Sequence, residues 1–257
     1  MNRIDQTFAE LKRAGRKGLV GYLTAGDPTL AESEAQIRAA IESGLDVLEL
    51  GVPFSDPTAD GPVIQEASMR ALAAGTNLCE VLALVKRLRK DFQIPIVLFG
   101  YSNPFYSYGF EAIAADTAAA GADGLLVVDM PFEESEELRK PLNKHGLHFV
   151  PLIAPTTPAA RAAMILNGSG GFAYYIMVTG VTGARARVAD DLTEHLQALR
   201  GVTALPIAVG FGVSDGAQAR AAATHADAVV VGSALVRAAQ EKRVAALVKD
   251  LRAGLDG

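Results

Sequence analysis

The choice of fold depends on one stretch, GLVGYLTAGDP at residues 18–28. Its first seven residues are almost all apolar, which is typical of a strand buried on both faces of a parallel sheet. The competing architecture, a doubly wound open sheet that binds a dinucleotide, carries the spacing G-x-G-x-x-G directly after its first strand. The loop at residues 24–28 lacks that spacing, so this stretch favours a barrel.

Similar apolar runs recur along the chain, and each leads through a turn into an Ala-rich stretch with helical spacing. Eight strands are predicted, at Gly18–Thr24, Val47–Gly51, Ile96–Tyr101, Gly124–Val128, His148–Ile153, Phe172–Met177, Pro206–Val209 and Ala228–Val231. Helices are predicted at Thr29–Ser43, Val63–Ala74, Leu78–Lys90, Phe110–Ala120, Glu133–His145, Pro158–Leu166, Asp191–Leu199, Asp215–Thr224 and Ser233–Arg252, the last with a break near Lys242. Eight strand–helix units make up one (β/α)₈ barrel. We therefore predict an α/β fold, a single TIM barrel over residues 1–257 with an extra N-terminal helix.

The composition excludes several classes of function. The chain has 257 residues, of which 50% are hydrophobic and 21% charged, with a formal net charge of −5. Its basic cluster, Lys86–Lys90, is too small for a nucleic-acid surface. Cys79 is the single cysteine, so no disulfide forms within the chain, and the reducing cytoplasm is the expected location. Aspartates interrupt the most apolar stretch, residues 112–130, which therefore cannot span a membrane.

The reactive side chains of a TIM barrel lie at the C-terminal ends of its strands. All eight lysines fall in predicted helices or before a strand begins, which argues against an imine-forming nucleophile at the mouth. The four histidines lie in helices or at the other end of a strand, and no pair has metal-ligand spacing. We therefore predict neither a metal nor a cofactor, and carboxylates remain as candidates for catalysis.

Glu49 lies near the end of the second predicted strand, between Leu48 and Leu50. Alternation along a strand places it with Val47 on the face opposite the leucines, and both faces of a barrel strand are covered. A buried ionisable group is either paired or has a shifted pKa. Glu49 is thus a candidate for proton transfer with a pKa near neutrality, and a structural ion pair is the alternative interpretation.

The loop after this strand, residues 52–62, carries three prolines and the aspartates Asp56 and Asp60. Each aspartate by itself is ordinary turn chemistry. Together with Glu49, a second acid on a loop at the barrel mouth is the usual partner in acid–base catalysis. The sequence therefore predicts an acid pair at the mouth.

Glycine-rich loops follow the last three predicted strands, at residues 179–183, 210–212 and 232–233. Backbone N–H groups exposed by glycines and by a helix N-terminus bind anions, and barrels commonly hold a phosphate after strands seven and eight. Ser233 is predicted to be both a helix N-cap and a phosphate ligand. Aromatic residues near strand ends are placed to enclose part of a substrate or to pack the barrel: Phe54, Tyr101, Phe105, Tyr106, Tyr108, Tyr174, Tyr175 and Phe211.

The stretch LELGVPFSDPTADGP at residues 48–62 resembles the signature of a known family, the alpha chain of tryptophan synthase. Further matches run in order over nearly the whole chain: YLTAGDP at 22–28, GYSNPF at 100–105, DMPFEE at 129–134, APTTP at 154–158, GVTGAR at 180–185, GFG at 210–212 and VVGSALV at 230–236. The resemblance implies a single barrel that reversibly cleaves indole-3-glycerol phosphate to indole and glyceraldehyde 3-phosphate by a retro-aldol route.

By this resemblance Glu49 carries the proton transfers at indole C3 and the glycerol hydroxyl, and Asp60 acts at the indole N–H. The family's phosphate site corresponds to Gly183, Gly212, Gly232 and Ser233. Its indole and glycerol pocket corresponds to Tyr22, Ile64, Tyr101, Tyr174, Thr182 and Phe211. The loop at residues 180–183 resembles a lid, in which Thr182 is expected to bond Asp60 on closure. Thr58 and Met177 depart from the residues usual in the family.

The resemblance also implies a partner, because the family works as an α₂β₂ complex whose beta subunit, a pyridoxal-phosphate enzyme, receives indole through a tunnel. Segments that face this partner are matched by Pro53, Asp56, Pro57, Asn103, Asp129 and Pro131, each of which also suits an ordinary turn. Two other functions stay open. One is another phosphosugar barrel, such as an isomerase or the synthase that forms indole-3-glycerol phosphate, although that synthase needs a strand-end lysine. The other is a catalytically silent activator of a beta chain.

Overall fold

The computed structural model describes residues 1–176, 185–210 and 212–257, with the backbone alone at residues 185–192. In these ranges nine parallel strand segments form one sheet: β1 (Gly18–Thr24), β2 (Val47–Gly51), β3 (Ile96–Gly100), β4 (Gly124–Val127), β5 (His148–Phe149), β6 (Leu152–Ile153), β7 (Ala173–Ile176), β8 (Ile207–Gly210) and β9 (Ala228–Val231). The spatial order is β5-β4-β3-β2-β1-β9-β8-β7-β6.

Helix α1 (Arg3–Arg13) precedes β1, and the other helices follow the strands: α2 (Leu30–Glu42), α3 (Pro62–Ala73), α4 (Leu78–Leu88), α5 (Ser102–Tyr108), α6 (Phe110–Ala120), α7 (Glu136–Lys144), α8 (Ala159–Asn167), α9 (Arg185–Arg200), α10 (Gly216–Ala223), α11 (Ser233–Gln240) and α12 (Val244–Asp256). A short 3₁₀ helix at Phe132–Glu134 precedes α7. Parallel strands require such crossovers, and the helices cover the outer face of the sheet.

The sheet closes on itself between β5 and β6, the two ends of its spatial order. These segments are halves of one extended stretch and are separated only by Val150 and Pro151. The N–H of Val150 donates to the carbonyl of Leu125 in β4 (2.8 Å), and the carbonyl of Pro151 accepts from Tyr174 in β7 (2.9 Å). The predicted strand at residues 148–153 therefore divides where its hydrogen bonding changes sides, and the eight-stranded TIM barrel is confirmed.

Alternation along the strands sorts apolar side chains into an inner and an outer layer. Inside the barrel lie Val20, Val47, Val97, Leu126, Val150, Phe172, Ala208, Ala228 and Val230. Helix α1 packs Ile4, Phe8 and Leu11 against this inner cluster, and the ring of Phe8 lies 5.5 Å from that of Phe172. The predicted N-terminal helix thus closes the N-terminal end of the barrel and leaves the opposite end as the mouth.

Polar contacts hold α1 at that closed end. Arg3 Nη1 lies 2.9 Å from Asp123 Oδ1, at the start of β4, and His148 Nε2 in β5 lies 2.9 Å from Asp5 Oδ1. Asp123 also accepts from Arg89 and from the N–H of Ile96. Because these groups sit at the N-terminal ends of the strands, they stabilise the scaffold at a distance from the mouth.

Most predicted elements are confirmed to within two residues, with four differences, one of which is that α12 ends at Asp256 instead of Arg252. Helix α5 was not predicted, because its seven aromatic and polar residues carry no helical apolar stripe. The predicted helix at 133–145 is divided into the 3₁₀ turn and α7, and α9 begins at Arg185 instead of Asp191. The predicted break near Lys242 is confirmed, since α11 ends at Gln240 and Lys242 has a φ of 56°.

In the described part of the chain, no single helix is long and apolar enough to cross a membrane. Helices α3 and α4 taken together have the length and composition for a membrane span, but the pair is bent by 97°.

Candidate active site

Glu49 lies on the face of β2 opposite Leu48 and Leu50, as alternation predicted, and the structure shows that this face points into the barrel. In the register of the sheet Glu49 lies beside Tyr22 of β1 and Val97 of β3. Its neighbours Leu48 and Leu50 belong to the outer cluster that packs against the helices. Glu49 is 0% exposed, so the sequence places a carboxyl in the interior of the barrel near the C-terminal end of β2.

The carboxyl of Glu49 is buried without a compensating contact from any described residue. Both Oε1 and Oε2 lack a hydrogen-bond partner within the described residues, so the structural ion pair considered as an alternative is not formed there. Removal from water penalises the charged form, and burial raises the pKa of Glu49 to about 8. Glu49 is therefore protonated at pH 7 and can donate a proton.

Asp60 follows β2 in the loop before α3, and the side chain of Tyr101 holds its carboxylate. The hydroxyl of Tyr101 donates to Asp60 Oδ2 (3.0 Å) and accepts from the N–H of Ala59 (3.0 Å). Burial raises the pKa of Asp60 to about 6, and the bond from Tyr101 opposes part of that shift. Asp60 is therefore ionised at pH 7, which gives the mouth two carboxyls in opposite protonation states.

Both acids affect the pKa values of two tyrosines at the mouth of the barrel. Burial, and after it the charges of Asp60 and Glu49, raise the pKa of Tyr22; the same three causes raise the pKa of Tyr174. A charge acts on a neighbouring group in this way only at short range. The structure thus brings together four of the predicted site residues.

Close approach of these rings requires glycine at two positions. A Cβ on Gly51 would lie 2.2 Å from the hydroxyl of Tyr22, and one on Gly210 would lie 2.8 Å from the hydroxyl of Tyr174. Tyr22 also packs edge-on against Phe99, with centroids 5.0 Å apart, and its hydroxyl lies 3.2 Å from Thr24 Oγ1. The absence of side chains at the glycines lets the aromatic rings reach the mouth.

The other predicted aromatic residues serve different purposes. Phe54 packs against Tyr101 with ring centroids 5.2 Å apart, whereas Phe105 and Tyr175 are buried in the clusters outside the barrel. The hydroxyl of Tyr108 donates to Asp116 (2.6 Å), and Tyr106 is 71% exposed. Among the described members of this group, only Tyr101 and Tyr174, with Phe54 packed against Tyr101, border the acid pair.

Among the described residues of the predicted phosphate site, Gly232 lies close to two pocket residues. A Cβ on Gly232 would lie 3.8 Å from Ile64 Cδ1 and 3.8 Å from Tyr22 Cβ. Gly212 has a φ of 66°, in the left-handed region that favours glycine. The N-cap of α11 is Gly232, so the prediction of Ser233 as N-cap is wrong: Ser233 is the first helical residue. The N–H groups of this first turn remain available to an anion.

Four residues singled out in the sequence fall outside the described part of the chain: Thr182, Gly183, Phe211 and Met177. Thr58, the other departure from the family pattern, is described and exposed. Among the described residues no group of three His, Cys, Asp or Glu side chains is arranged to hold a metal ion.

One functional contact was missed in the sequence, a side chain on α3. Gln65 Nε2 donates to the carbonyl of Asp60 (2.9 Å) and to the carbonyl of Pro57 (3.3 Å). A glutamine in the first turn of a helix is too common to attract notice without the loop conformation. The contact depends on the conformation of the preceding loop, which cannot be read from the sequence.

A barrel with two carboxyls in opposite protonation states at its mouth belongs to the class of enzymes that catalyse reactions by proton transfer to a small substrate. Residues 8–253 match the family model described as tryptophan synthase alpha chain. The chain belongs to this family.

Individual relatives agree over nearly the whole length. The tryptophan synthase alpha chain of Geobacter sp. (strain M21) is 51% identical over 251 residues, covering 98% of this chain and 94% of the relative. The crystal structure of tryptophan synthase subunit alpha from Legionella pneumophila str. Paris superposes with a TM-score of 0.92 at 38% identity, covering 100% and 99% of the two chains. A chain of tryptophan synthase from M. tuberculosis, in its aminoacrylate-bound form, gives 0.91 at 35% identity, covering 99% and 100%.

Proposed function

We propose that Glu49 and Asp60 are the acid–base pair with which this chain, a carbon–carbon lyase, cleaves indole-3-glycerol phosphate to indole and glyceraldehyde 3-phosphate. Membership of the tryptophan synthase alpha chain family supports the reaction. The observation that carries the residue assignment is the fully buried carboxyl of Glu49, which has no partner among the described residues and whose pKa is raised to about 8. Asp60, with a pKa of about 6, supplies the complementary ionised group.

The two acids can complete the reaction and return to their starting states. Glu49 donates its proton to C3 of the indole ring while Asp60 accepts the ring N–H proton, so no net charge is left on the ring. Glu49, now a carboxylate, removes the proton of the hydroxyl on the adjoining glycerol carbon. The carbon–carbon bond then breaks, the aldehyde forms, the indole C2–C3 double bond is restored and the ring nitrogen recovers its proton from Asp60.

Binding of the remainder of the substrate is assigned to the residues around this pair. We place the indole and glycerol parts among Tyr22, Ile64, Tyr101 and Tyr174, which border the acids or Gly232. We place the phosphate at the first turn of α11 and at the glycines before it, with Gly212, Gly232 and Ser233. Family resemblance adds Thr182, Gly183 and Phe211 to these two sets.

The pH dependence of kcat/KM follows from the two protonation states. Activity should fall below pH 6, where Asp60 becomes protonated, and above pH 8, where Glu49 loses the proton it must donate. The measurement is the initial rate of indole formation at low substrate between pH 5 and 9.5. The substrate phosphate itself titrates near pH 6, so the alkaline limb is the diagnostic one. A rate that stays level from pH 7 to 9.5 would contradict the role of Glu49.

A beta chain is the partner of this family, and we propose that this chain assembles with it as two alpha and two beta subunits. The partner-facing positions suggested by resemblance include Asn103, Asp129 and Pro131, which line one surface cleft of about 480 Å³. Asp129 shapes the cleft by accepting from the N–H (2.7 Å) and the hydroxyl (2.9 Å) of Ser102. We place the complex in the cytoplasm, a reducing compartment that suits a free cysteine.

Tyr106 provides a test of this partner surface. It lines the same cleft, and 71% of it is exposed; tyrosines of this kind are enriched among the residues that dominate protein interfaces. We expect Tyr106→Ala to weaken binding of the beta chain about tenfold or more, measured by calorimetry. Met164→Ala, which removes an exposed side chain on α8, is the matched control. Equal affinities for Tyr106→Ala and wild type would place the partner elsewhere.

A further inference from the structure

The turn that carries Asp60 is held by two side chains from separate elements. The turn spans residues 57–60 and is closed by a hydrogen bond from the N–H of Asp60 to the carbonyl of Pro57 (3.1 Å). Tyr101, at the end of β3, contacts the N–H of Ala59 and the carboxylate of Asp60. Gln65, in the first turn of α3, contacts the carbonyls at both ends of the turn.

The contacts of Gln65 do not serve to cap the helix. The N-terminus of a helix leaves N–H groups without partners, which a capping side chain satisfies as an acceptor. Gln65 instead donates its amide N–H groups to carbonyls that precede the helix, and the N-cap Gly61 has no side-chain cap. The contacts therefore fix the conformation of the loop relative to α3.

Helix α3 is itself anchored to the barrel, so Gln65 works from a fixed support. Arg70 forms a bidentate pair with Asp27, at 2.7 and 2.9 Å, in the loop after β1, and that carboxylate is only 4% exposed. Ala67 of the same helix is buried against Tyr22 and Val236. A loop that is hydrogen-bonded to such a helix is held in a fixed position relative to the mouth.

We propose that Gln65 is a positioning residue for the cleavage reaction, holding the turn so that the carboxylate of Asp60 faces the substrate. The inference rests on the proposed role of Asp60. Misplacement of a reacting group by about 1 Å costs on the order of a hundredfold in rate. Loss of the Gln65 contacts should therefore lower kcat, whereas the distant phosphate contacts keep KM close to that of the wild type.

The test compares Gln65→Met, which keeps the length of the side chain without its donors, with Gln65→Glu, whose carboxylate also lacks donors. For both we expect kcat to fall about tenfold to a hundredfold with KM within about twofold of wild type. In Gln65→Met the acid limb of the kcat profile should also move to lower pH as Asp60 gains contact with water. Met69→Gln, an exposed change on the same helix, is the control, and urea unfolding confirms that each variant is folded.

Combination with Asp60→Asn separates this inference from the proposed function. If Gln65 acts through Asp60, then Gln65→Met lowers the residual rate of Asp60→Asn by less than about twofold. An equal loss in both backgrounds, or a wild-type kcat in both Gln65 variants, would overturn the positioning role while Asp60 kept its own. A wild-type rate in Asp60→Asn alone would instead overturn the proposed function.

Discussion

Replacement of Glu49 by Gln is expected to abolish release of indole from indole-3-glycerol phosphate while the chain stays folded and still binds phosphate. The amide has the shape of the protonated acid but cannot donate its proton to carbon or remove one from a hydroxyl. General acid–base groups contribute about 10²- to 10⁴-fold in rate, and Glu49 acts twice in the cycle, so the loss should lie at the upper end. The measurement is single-turnover indole formation. Ready turnover by the variant would contradict the assignment.

The same substitution should stabilise the protein at alkaline pH. Burial raises the pKa of Glu49 from 4.5 to about 8, so between these values the folded protein holds a proton that the unfolded chain has lost. Wild-type stability must therefore fall as pH rises through this window, by up to about 5 kcal/mol. Gln does not titrate, so the variant does not lose stability in this way as the pH rises.

Urea unfolding at pH 5 and pH 9 tests this expectation. The advantage of Glu49→Gln over wild type should be small at pH 5 and large at pH 9. Glu42→Gln, an exposed position at the end of α2, should show no such pH dependence. Equal advantages at the two pH values would mean that the buried carboxyl does not titrate as described.

Replacement of Asp60 by Asn is the second large expected effect. Asn can still accept the hydrogen bond from Tyr101, so the loop keeps its contact, but it cannot take the indole N–H proton or stabilise positive charge on the ring. Loss of a group that stabilises transition-state charge costs about 10²- to 10³-fold, and we expect a fall in kcat of that size.

Asp56→Asn is the matched control for this variant. Asp56 lies in the same loop, is exposed and contacts Ser55 Oγ (2.5 Å), so its replacement should leave the rate of the isolated chain within about twofold of wild type. An equal loss in the two variants would mean that loop charge in general, and not the carboxylate of Asp60, supports the reaction.

The fold was predictable because each strand is short, apolar and followed by a turn and a helix. The sequence could not show that the stretch at 148–153 changes hydrogen-bonding partners at Pro151, because this depends on barrel closure. Helix α5 was also not predictable, since its aromatic residues form no helical apolar stripe. Local pattern determines which elements form, and packing determines where they end.

The candidate site was predictable to a different degree at each residue. Alternation placed Glu49 on the strand face opposite Leu48 and Leu50, but only the structure shows that this face is the inner one and that neither oxygen finds a partner among the described residues, which favours a catalytic acid over an ion pair. Asp60 by itself is ordinary turn chemistry and was predicted as the second acid only together with Glu49; the structure adds that Tyr101 holds its carboxylate. Gln65 gave no sequence signal, because its partners are backbone carbonyls present at every residue.

The residues of the chain argue against each of the two alternative functions. The synthase that forms indole-3-glycerol phosphate needs a lysine at a strand end, and the eight lysines lie in helices, in turns or before β1. A silent activator of a beta chain would have no need of an unpaired buried acid, which costs folding energy. A buried Glu49 without a compensating contact from the described part of the chain therefore favours catalysis.

The rate of indole formation from indole-3-glycerol phosphate by the purified chain, with and without added beta chain, tests the central claim most directly. A lyase produces indole and glyceraldehyde 3-phosphate in equal amounts under at least one of these conditions, and Glu49→Gln produces neither. Absence of indole under both conditions, from a folded wild-type chain, would contradict the proposed function.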